Sequence, residues 1–236
     1  MEKLKKYLSE NHKAWQKSYN APNVESVIFR LQGRILKSQF NLPKKDELTT
    51  SLDFGCGQGA TVNYFNQCGY DAYGIDISKV DIEIAKSRYP HIAHKFSVCK
   101  PDVYKTAMTD FTENKKISLV TGQQSLYYFD KEDFFTLLKN IENSLETNGL
   151  LYASMMSTSH TYYKYSKETE YEWLRVTNFS GKRFNLENYY NFHCDSEADV
   201  INKFSIFKKI YCGSYHLQLE EDETNNHHYV ILCQKK

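Results

Sequence analysis

The sequence predicts a single α/β domain, in which a mostly parallel sheet lies between layers of helices, and three observations lead to this prediction. A glycine-rich stretch, Asp53–Gly59 (DFGCGQG), follows a short apolar entry and precedes a helical pattern. Strand and helix patterns then alternate as far as Met155. An acid, Asp76, ends the apolar alternation that follows the first helical pattern. Strands separated by helices indicate parallel pairing with right-handed crossovers.

Composition and charge narrow the possible functions. A length of 236 residues suits one domain, and an apolar share of 41% is enough for a core. The formal net charge is +1, so general affinity for nucleic acid or for an anionic membrane is not expected. No apolar run approaches the length of a membrane span and the N-terminus does not resemble a signal peptide, which predicts a cytoplasmic protein. The six cysteines form no C-x-x-C pair, which favours reduced thiols and argues against a metal site.

Two helices are predicted ahead of the glycine-rich stretch. Residues 1–20 place apolar and charged side chains at helical spacing and indicate a helix and a loop lying over the domain. Residues 24–40 carry the stripe of an amphipathic helix, which packs beside the first strand in a fold of this kind. The stripe consists of Val27, Ile28, Leu31 and Ile35.

The glycine-rich stretch itself predicts a strand, a tight turn and the start of a helix. Gly55, Gly57 and Gly59 stand at alternate positions, where they permit positive φ angles and leave no Cβ in the way of a ligand. The helix that follows presents unpaired amide groups, so a negatively charged or carboxylate-bearing group is expected there. The spacing differs from the G-x-G-x-x-G typical of dinucleotide-binding folds.

The alternation after the turn predicts four more strands and three helices. The helices are Thr61–Cys68, one capped by Ser78 that runs through Val80, Ile84 and Ala85 to Tyr89, and one from Asp130 or Lys131 to Glu146. The strands are Tyr70–Asp76, His94–Val98, Ile117–Gly122 and Leu150–Met155.

The last third of the chain has a different character. Between Ser157 and Cys194 lies an aromatic and polar stretch with no clean period. A helix is then predicted over Ser196–Phe204, followed by strands over Ser205–Tyr215 and His227–Gln234. The acidic, Asn-rich residues 220–226 between these strands indicate a hairpin loop.

The acid, the hydrophobic residue and the G-x-G-x-G run, together with Asp76 at the end of the second strand, resemble class I S-adenosylmethionine-dependent methyltransferases of the small-molecule type. The resemblance extends from about Ser51 to Ser154. It implies a Rossmann-like three-layer sandwich with a seven-stranded, mostly parallel sheet, an antiparallel last strand and an N-terminal helical lid. Within the single domain it implies lid helices (1–48), a cofactor-binding core (49–156), a substrate-covering insertion (157–194) and a C-terminal helix with a strand hairpin (195–236).

The resemblance also implies roles for individual residues toward S-adenosylmethionine. The three glycines give close backbone approach to the amino-acid and ribose parts of the cofactor. Asp53 accepts a hydrogen bond from the amino group, Asp76 holds the ribose hydroxyls, and Ile77 lies against the adenine. S-adenosylhomocysteine is then the product.

Further contacts follow less closely from the family pattern. Asp102, after the third strand, is the candidate for the adenine amino group, although a surface turn explains it equally well. Gly122 and Gln123, after the fourth strand, are candidates for the methionine half. In the N-terminal segment, Trp15 and Tyr19 are candidates for covering the cofactor and Arg30 for pairing with its carboxylate, and an exposed helical arginine is the alternative for Arg30.

The acceptor is expected to be a small, polar molecule such as a sugar or a metabolite intermediate, methylated on an O or N atom. The loop after the fourth strand lacks the acid or Asn with two prolines that base-methylating enzymes carry, and it lacks the acid cluster of magnesium-dependent relatives. If a general base acts, His160 and His193 in the aromatic insertion are the candidates. His227 and His228 are interpreted as structural.

Two other classes of function stay open from the sequence. A nicotinamide-dependent oxidoreductase or epimerase shares the strand, the turn and the acid but expects the longer glycine spacing. A catalytically inactive, regulatory S-adenosylmethionine-binding protein keeps Asp53 and Asp76 but lacks an acceptor pocket.

Overall fold

The computed structural model describes residues 4–16, 23–180, 185–216 and 226–236, and two sheets organise this part of the chain. The strands are β1 (Thr50–Phe54), β2 (Asp71–Asp76), β3 (Phe96–Val98), β4 (Ile117–Gly122), β5 (Leu145–Met156), β6 (Ser166–Glu168), β7 (Arg175–Ser180), β8 (Asn185–Asn191), β9 (Lys208–Tyr215) and β10 (His228–Gln234). The α-helices are α1 (Lys6–Trp15), α2 (Ser26–Arg30), α3 (Lys37–Phe40), α4 (Ala60–Gln67), α5 (Lys79–Arg88), α6 (Lys131–Ser144), α7 (Thr161–Lys164) and α8 (Glu197–Lys203), and a π-helical segment, Leu31–Leu36, joins α2 to α3.

The larger sheet has seven strands in the order β3-β2-β1-β4-β5-β10-β9. The pairs β3-β2, β2-β1, β1-β4 and β4-β5 are all parallel. Strand β10 runs antiparallel to both of its neighbours, β5 and β9. The predicted Rossmann-like sheet, mostly parallel with an antiparallel last strand, is therefore confirmed.

Helices cover both faces of this sheet, as the three-layer prediction requires. One face packs against α2, α4 and α5 through Ile28, Phe65 and Ile82. The other face packs against α6 and α8 through Phe134 and Val200. Within the described ranges, no helix has both the length and the apolar character needed to cross a membrane.

Side-chain caps fix where three of the helices begin. The side chain of Ser78 accepts a hydrogen bond from the backbone N–H of Asp81, which starts α5 at the predicted place. Asp130 accepts from the N–H of Asp133 at 2.9 Å and starts α6, and Ser196 starts α8 in the same way. Acids in the first turn of α6 also favour the positive end of the helix dipole.

Several predicted element boundaries are wrong. The helix predicted to end at Glu146 ends at Ser144, the fifth strand begins at Leu145 and not at Leu150, and the strand predicted from Ser205 begins at Lys208. The third strand begins at Phe96 and not at His94, because Pro90–Lys95 forms a 3₁₀ turn. Of the apolar side chains in α5, Val80 lies at 49% exposure, whereas Ile82 and Ala85 are buried. The inward stripe of α5 therefore runs through residues 82 and 85.

The stretch between Ser157 and Cys194, which has no clean period in the sequence, contains α7 and a three-stranded antiparallel sheet, β6-β7-β8. Helix α1 is fastened to this sheet. The amide of Asn11 donates to the carbonyl oxygen of Tyr190 at 2.8 Å and accepts from its N–H at 2.8 Å, which imitates one rung of a strand ladder. Near its start, Lys5 pairs with Asp130 at 2.7 Å.

The helix start after the glycine turn depends on Gly59. Its φ is +80°, and an added Cβ would lie 2.6 Å from the Phe96 ring and 3.0 Å from the Cβ of Ala85. We expect Gly59→Ala to lower the free energy of unfolding, measured by urea denaturation, by about 3 kcal/mol. Gly33→Ala is the matched control, because no heavy atom lies within 4 Å of its added Cβ. Equal stability of the two variants would contradict this assignment.

Candidate active site

A cavity of about 490 Å³ opens at the carboxyl ends of β1, β2 and β4. In parallel α/β sheets ligands bind at this edge, because the connecting loops diverge there. The glycine turn and the acids line one part of the cavity, and aromatic side chains from several distant segments line another. The cavity thus has a polar half and an aromatic half.

The glycine turn is held by backbone hydrogen bonds to β2. The N–H groups of Gly55 and Cys56 both donate to the carbonyl oxygen of Ile75, at 2.8 and 2.9 Å. Gly55 and Gly57 have φ angles of +76° and +50° and line the cavity. A Cβ on Gly55 would lie 2.6 Å from the Cβ of Ser125, so only glycine fits this turn.

Asp53 lies at the end of β1 and its carboxyl group is buried. It accepts one hydrogen bond, from the hydroxyl of Thr121 at 2.6 Å. Burial raises the pKa of Asp53 to about 7; the bond from Thr121 opposes the rise, and the nearby charge of Asp76 adds to it. A carboxyl group with so few partners gains from a cationic ligand, which is the physical reason to expect an ammonium group beside it.

Asp76 ends β2 on the other side of the turn. One carboxylate oxygen accepts from the N–H of Gly57 and the other from the N–H of Ser78, both at 2.8 Å. These bonds fix the orientation of the carboxylate toward the cavity that it lines. Burial raises the pKa of Asp76 to about 6, and the two backbone bonds limit that rise.

Gln58 is a cavity residue that the sequence reasoning missed. Its side chain is only 2% exposed, and neither its amide oxygen nor its amide nitrogen has a hydrogen-bond partner among the described residues. Buried polar groups are nearly always paired, so this amide is positioned for a ligand. The position of Gln58 between Gly57 and Gly59 was the feature of the sequence that could have identified it as a cavity residue.

A second missed feature is a polar cluster of cavity-lining side chains around Glu25. The amides of Gln123 and Gln124 donate to the Glu25 carboxylate at 3.1 and 2.9 Å, and Gln123 also donates to the hydroxyl of Tyr215 at 2.9 Å. Burial raises the pKa of Glu25. Of this cluster only Gln123 was predicted as a cofactor contact.

The remaining predicted cofactor contacts occupy different positions. Ile77 lines the cavity, and its carbonyl oxygen accepts from Gln16 at 2.8 Å. Gly59, Gly122, Asp102 and Arg30 do not line it. Gly59 packs on Phe96 as described above, and Gly122 lies where a Cβ would meet Leu126 at 2.8 Å.

Asp102 precedes a short 3₁₀ turn, and Arg30 is exposed on α2. Tyr19 lies outside the described residues. The cofactor roles of these residues stay predictions.

Aromatic rings enclose the other half of the cavity. Trp15, at the end of α1, stands 5.5 Å from the ring of Tyr128 and 5.8 Å from that of Tyr189, measured between centroids. Tyr128 and Tyr189 stand 5.4 Å apart, and Tyr162 lies 6.0 Å from Tyr189. We call Trp15, Tyr128, Tyr162 and Tyr189 the aromatic box. No lysine or arginine lines the cavity within the described part of the chain.

The two histidines predicted as bases are placed differently. His160 lines the cavity, with its Nδ1 accepting from the N–H of Tyr162 and its Nε2 bonded to the side-chain oxygen of Asn226. Burial lowers the pKa of His160 to about 4. His193 does not line the cavity; it packs against the ring of Tyr163 at 5.2 Å, and burial lowers its pKa to about 3. Their catalytic roles stay predictions.

His228 was interpreted as structural, yet its ring lines the cavity. Strand β10 is antiparallel, so its first residue lies at the edge where the parallel strands end, paired with Met156 of β5. Because the last strand was predicted to be antiparallel, this position at the site edge was a signal that the sequence contained.

The chain is similar to known methyltransferases in sequence and in fold. A family model described as a methyltransferase domain matches residues 30–194. The chain is 28% identical over 131 residues to the mRNA cap guanine-N(7) methyltransferase of Schizosaccharomyces pombe, covering 52% of this chain and 36% of that protein. It is 26% identical over 138 residues to the ubiquinone biosynthesis O-methyltransferase of Pelagibacter ubique, covering 56% and 54%.

Among solved structures, the fold is similar to that of magnesium protoporphyrin IX methyltransferase from Synechocystis PCC 6803 with bound S-adenosylmethionine. The TM-score is 0.55 at 14% identity, and the match covers all of this chain and 87% of that one. The feature shared with that structure is the fold. The matches to the two curated relatives span about a third and about half of their lengths.

Proposed function

Because this chain belongs to the methyltransferase-domain family, with S-adenosylmethionine as its cofactor, we propose that it transfers the cofactor's methyl group to an O or N atom of a small, polar acceptor. The observation that carries the proposal is the pair of acids, Asp53 and Asp76, flanking a glycine turn within one cavity. When bound, the cofactor supplies a methyl group on a sulfonium sulfur. The protein's part is to align the reactants and exclude water.

The residues of the polar half fit this cofactor. The Gly55 and Gly57 cradle leaves room for close backbone approach, and Asp53 offers a buried acceptor for the amino group. Asp76, held by Gly57 and Ser78, is oriented for the ribose hydroxyls. The unpaired amide of Gln58 supplies both a donor and an acceptor, which suits a carboxylate or hydroxyl group.

The charge of the cavity supports a small acceptor without phosphate groups. Three acids, Glu25, Asp53 and Asp76, line it, and the described lining has no lysine or arginine. A nucleic-acid acceptor needs cationic side chains to neutralise its phosphates. The net charge of +1 for the whole chain agrees with this. The cavity and the aromatic box also favour an active enzyme over a protein that only binds the cofactor.

Calorimetric titration with S-adenosylhomocysteine and, separately, with NAD tests the cofactor assignment. We expect saturable binding of S-adenosylhomocysteine and none of NAD, because the G-x-G-x-G turn lacks the longer spacing that dinucleotides use. Binding of NAD alone would refute the proposal and favour a nicotinamide-dependent oxidoreductase or epimerase.

A second measurement tests the acceptor class. The protein is incubated with methyl-labelled S-adenosylmethionine and pooled small metabolites, or with total RNA as the comparison. Label in a small product supports the proposal. Label in RNA alone contradicts the acceptor class while leaving the methyltransferase assignment standing, and no product with either pool favours the inactive, regulatory alternative.

A further inference from the structure

His228 presents an unused lone pair in the cavity. Its Nδ1 lies 3.2 Å from the backbone carbonyl oxygen of Asn226. A carbonyl oxygen only accepts hydrogen bonds, so in the neutral ring Nδ1 carries the proton and Nε2 is unprotonated. That Nε2 is buried and has no hydrogen-bond partner among the described residues. The side chain is 1% exposed and lines the cavity.

The tautomer of His160 is the opposite one. Its Nδ1 accepts from the N–H of Tyr162 at 3.1 Å, so its ring proton is on Nε2, which donates to the side-chain oxygen of Asn226 at 3.2 Å. Both nitrogens of His160 are therefore occupied within the protein. Asn226 contacts both rings, His160 through its side chain and His228 through its backbone, and of these two rings His228 is the one that keeps a free acceptor.

Two neighbouring rings hold the ring of His228 in place. It stacks on the ring of Tyr215 at 5.4 Å with an interplanar angle of 10°, and the ring of His160 lies 5.3 Å away. Burial lowers the pKa of His228 to about 3, and His160 contributes to this shift. The imidazole is therefore neutral near pH 7, so its lone pair is available.

The residues that line the cavity around His228 indicate which kind of acceptor molecule can bind beside its Nε2. The aromatic box offers flat, apolar walls for a ring. With no lysine or arginine in the described lining, an acceptor molecule that carries an anionic group has no partner. An uncharged ring that bears a hydroxyl group meets both conditions. The ring packs against the aromatic walls and carries no anionic group, and the hydroxyl donates the hydrogen bond for which Nε2 has no partner.

We propose that Nε2 of His228 takes the proton from the hydroxyl of an uncharged phenolic acceptor seated in the aromatic box. This rests on the proposed methyltransferase function and names its acceptor class. The phenol oxygen forms a bond to the methyl carbon, while the carbon–sulfur bond breaks and its electron pair stays on sulfur. The O–H bond breaks and the proton moves to Nε2, so the one positive charge passes from sulfur to the imidazole.

This transfer of charge explains how a histidine with a low pKa can act as the base. In the ligand-free cavity an imidazolium is opposed by burial. During the reaction, the positive charge that occupied the cavity disappears from sulfur as it appears on His228. The cavity that Asp53 and Asp76 line therefore holds the same total charge before and after the step.

The first test needs no acceptor. Nitrogen NMR of histidine-labelled protein, with the His228 signals assigned through their loss in His228→Asn, reports the protonation of each ring nitrogen. We expect a protonated Nδ1 and an unprotonated Nε2 at pH 7, with and without S-adenosylhomocysteine. A proton on Nε2 would overturn the proposal, because that nitrogen could not then receive another.

The second test measures methyl transfer to phenol in two variants. His228→Asn keeps a donor for the Asn226 carbonyl and removes Nε2, whereas His228→Gln keeps a hydrogen-bond acceptor near the Nε2 position but cannot take a proton. We expect both to lower kcat/KM at least about 100-fold. Their dissociation constants for S-adenosylhomocysteine should stay within about twofold of the unmodified protein, since His228 is assigned to the acceptor.

The outcomes separate this proposal from the one on which it rests. If the unmodified protein did not bind S-adenosylhomocysteine, the methyltransferase function itself would be contradicted. Normal binding without transfer to phenol would overturn the phenolic acceptor class alone. A His228→Gln variant with full activity would show that His228 only positions the hydroxyl and would overturn its role as a base.

Discussion

Asp76→Asn is expected to weaken the binding of S-adenosylhomocysteine by at least about 100-fold. The carboxylate is oriented by two backbone N–H groups, at 2.8 Å each, and is assigned to the ribose hydroxyls. A hydrogen bond to a charged group contributes about 1.5–3 kcal/mol. Asn removes the charge from both bonds to the hydroxyls and sets its NH2 group against one of the two backbone N–H groups, so the combined loss reaches the 2.7 kcal/mol that corresponds to about 100-fold. Calorimetric titration measures the dissociation constant, and thermal denaturation checks that the variant is folded.

Asp71→Asn is the matched control, because it changes an acid at the opposite end of the same strand. Asp71 pairs with Lys115 at 2.9 Å and with Lys95, and it does not line the cavity. We expect this variant to lose about 1–2 kcal/mol of stability and to bind the ligand normally. If the two variants bound equally well, Asp76 would not be a cofactor contact.

The cofactor half of the site could be predicted from sequence because its geometry is local. Gly55, Gly57 and Asp76 belong to one strand–turn–helix–strand unit, in which parallel pairing alone brings the end of β2 beside the turn. Gln58, the cavity residue that the structure adds within this unit, lies between two of its glycines. Gln58 was missed because its meaning comes from the absence of a partner, which no spacing records.

The acceptor half could not be predicted in the same way. It is assembled from α1, α7, β8 and the start of β10, segments that are far apart in the chain. The bonds between Asn11 and Tyr190 join residues 179 positions apart, and no local pattern indicates such a pairing. The sheet formed by β6, β7 and β8 was missed for a related reason, since its tyrosines and asparagines give no alternation of apolar and polar residues.

Asp53→Asn is expected to change stability and binding in opposite directions. Burial raises the pKa of Asp53 to about 7 from an ordinary value of 3.8. Between these two pH values the folded protein keeps a proton that the unfolded chain releases, so this group's contribution to stability falls as pH rises through that window. The isosteric amide carries no such cost, and its oxygen can still accept from Thr121. At pH 8 we expect the ligand-free variant to gain about 2 kcal/mol in urea denaturation.

Asp53→Asn should also weaken the binding of S-adenosylhomocysteine at least about tenfold, because the ammonium group of the ligand loses its carboxylate partner. The unmodified protein should bind S-adenosylhomocysteine more tightly as pH rises toward 7, because binding releases the proton of Asp53. Titration in buffers of different ionisation enthalpy detects this proton release. Asp53→Asn should abolish most of the pH dependence.

Asp133→Asn is the control for buried acids in general. Asp133 is paired with Lys5 at 3.0 Å, so its loss should destabilise the fold. A stability gain in both variants would mean that the effect at Asp53 reflects burial of any carboxyl group and not an acid kept unpaired for a cationic ligand.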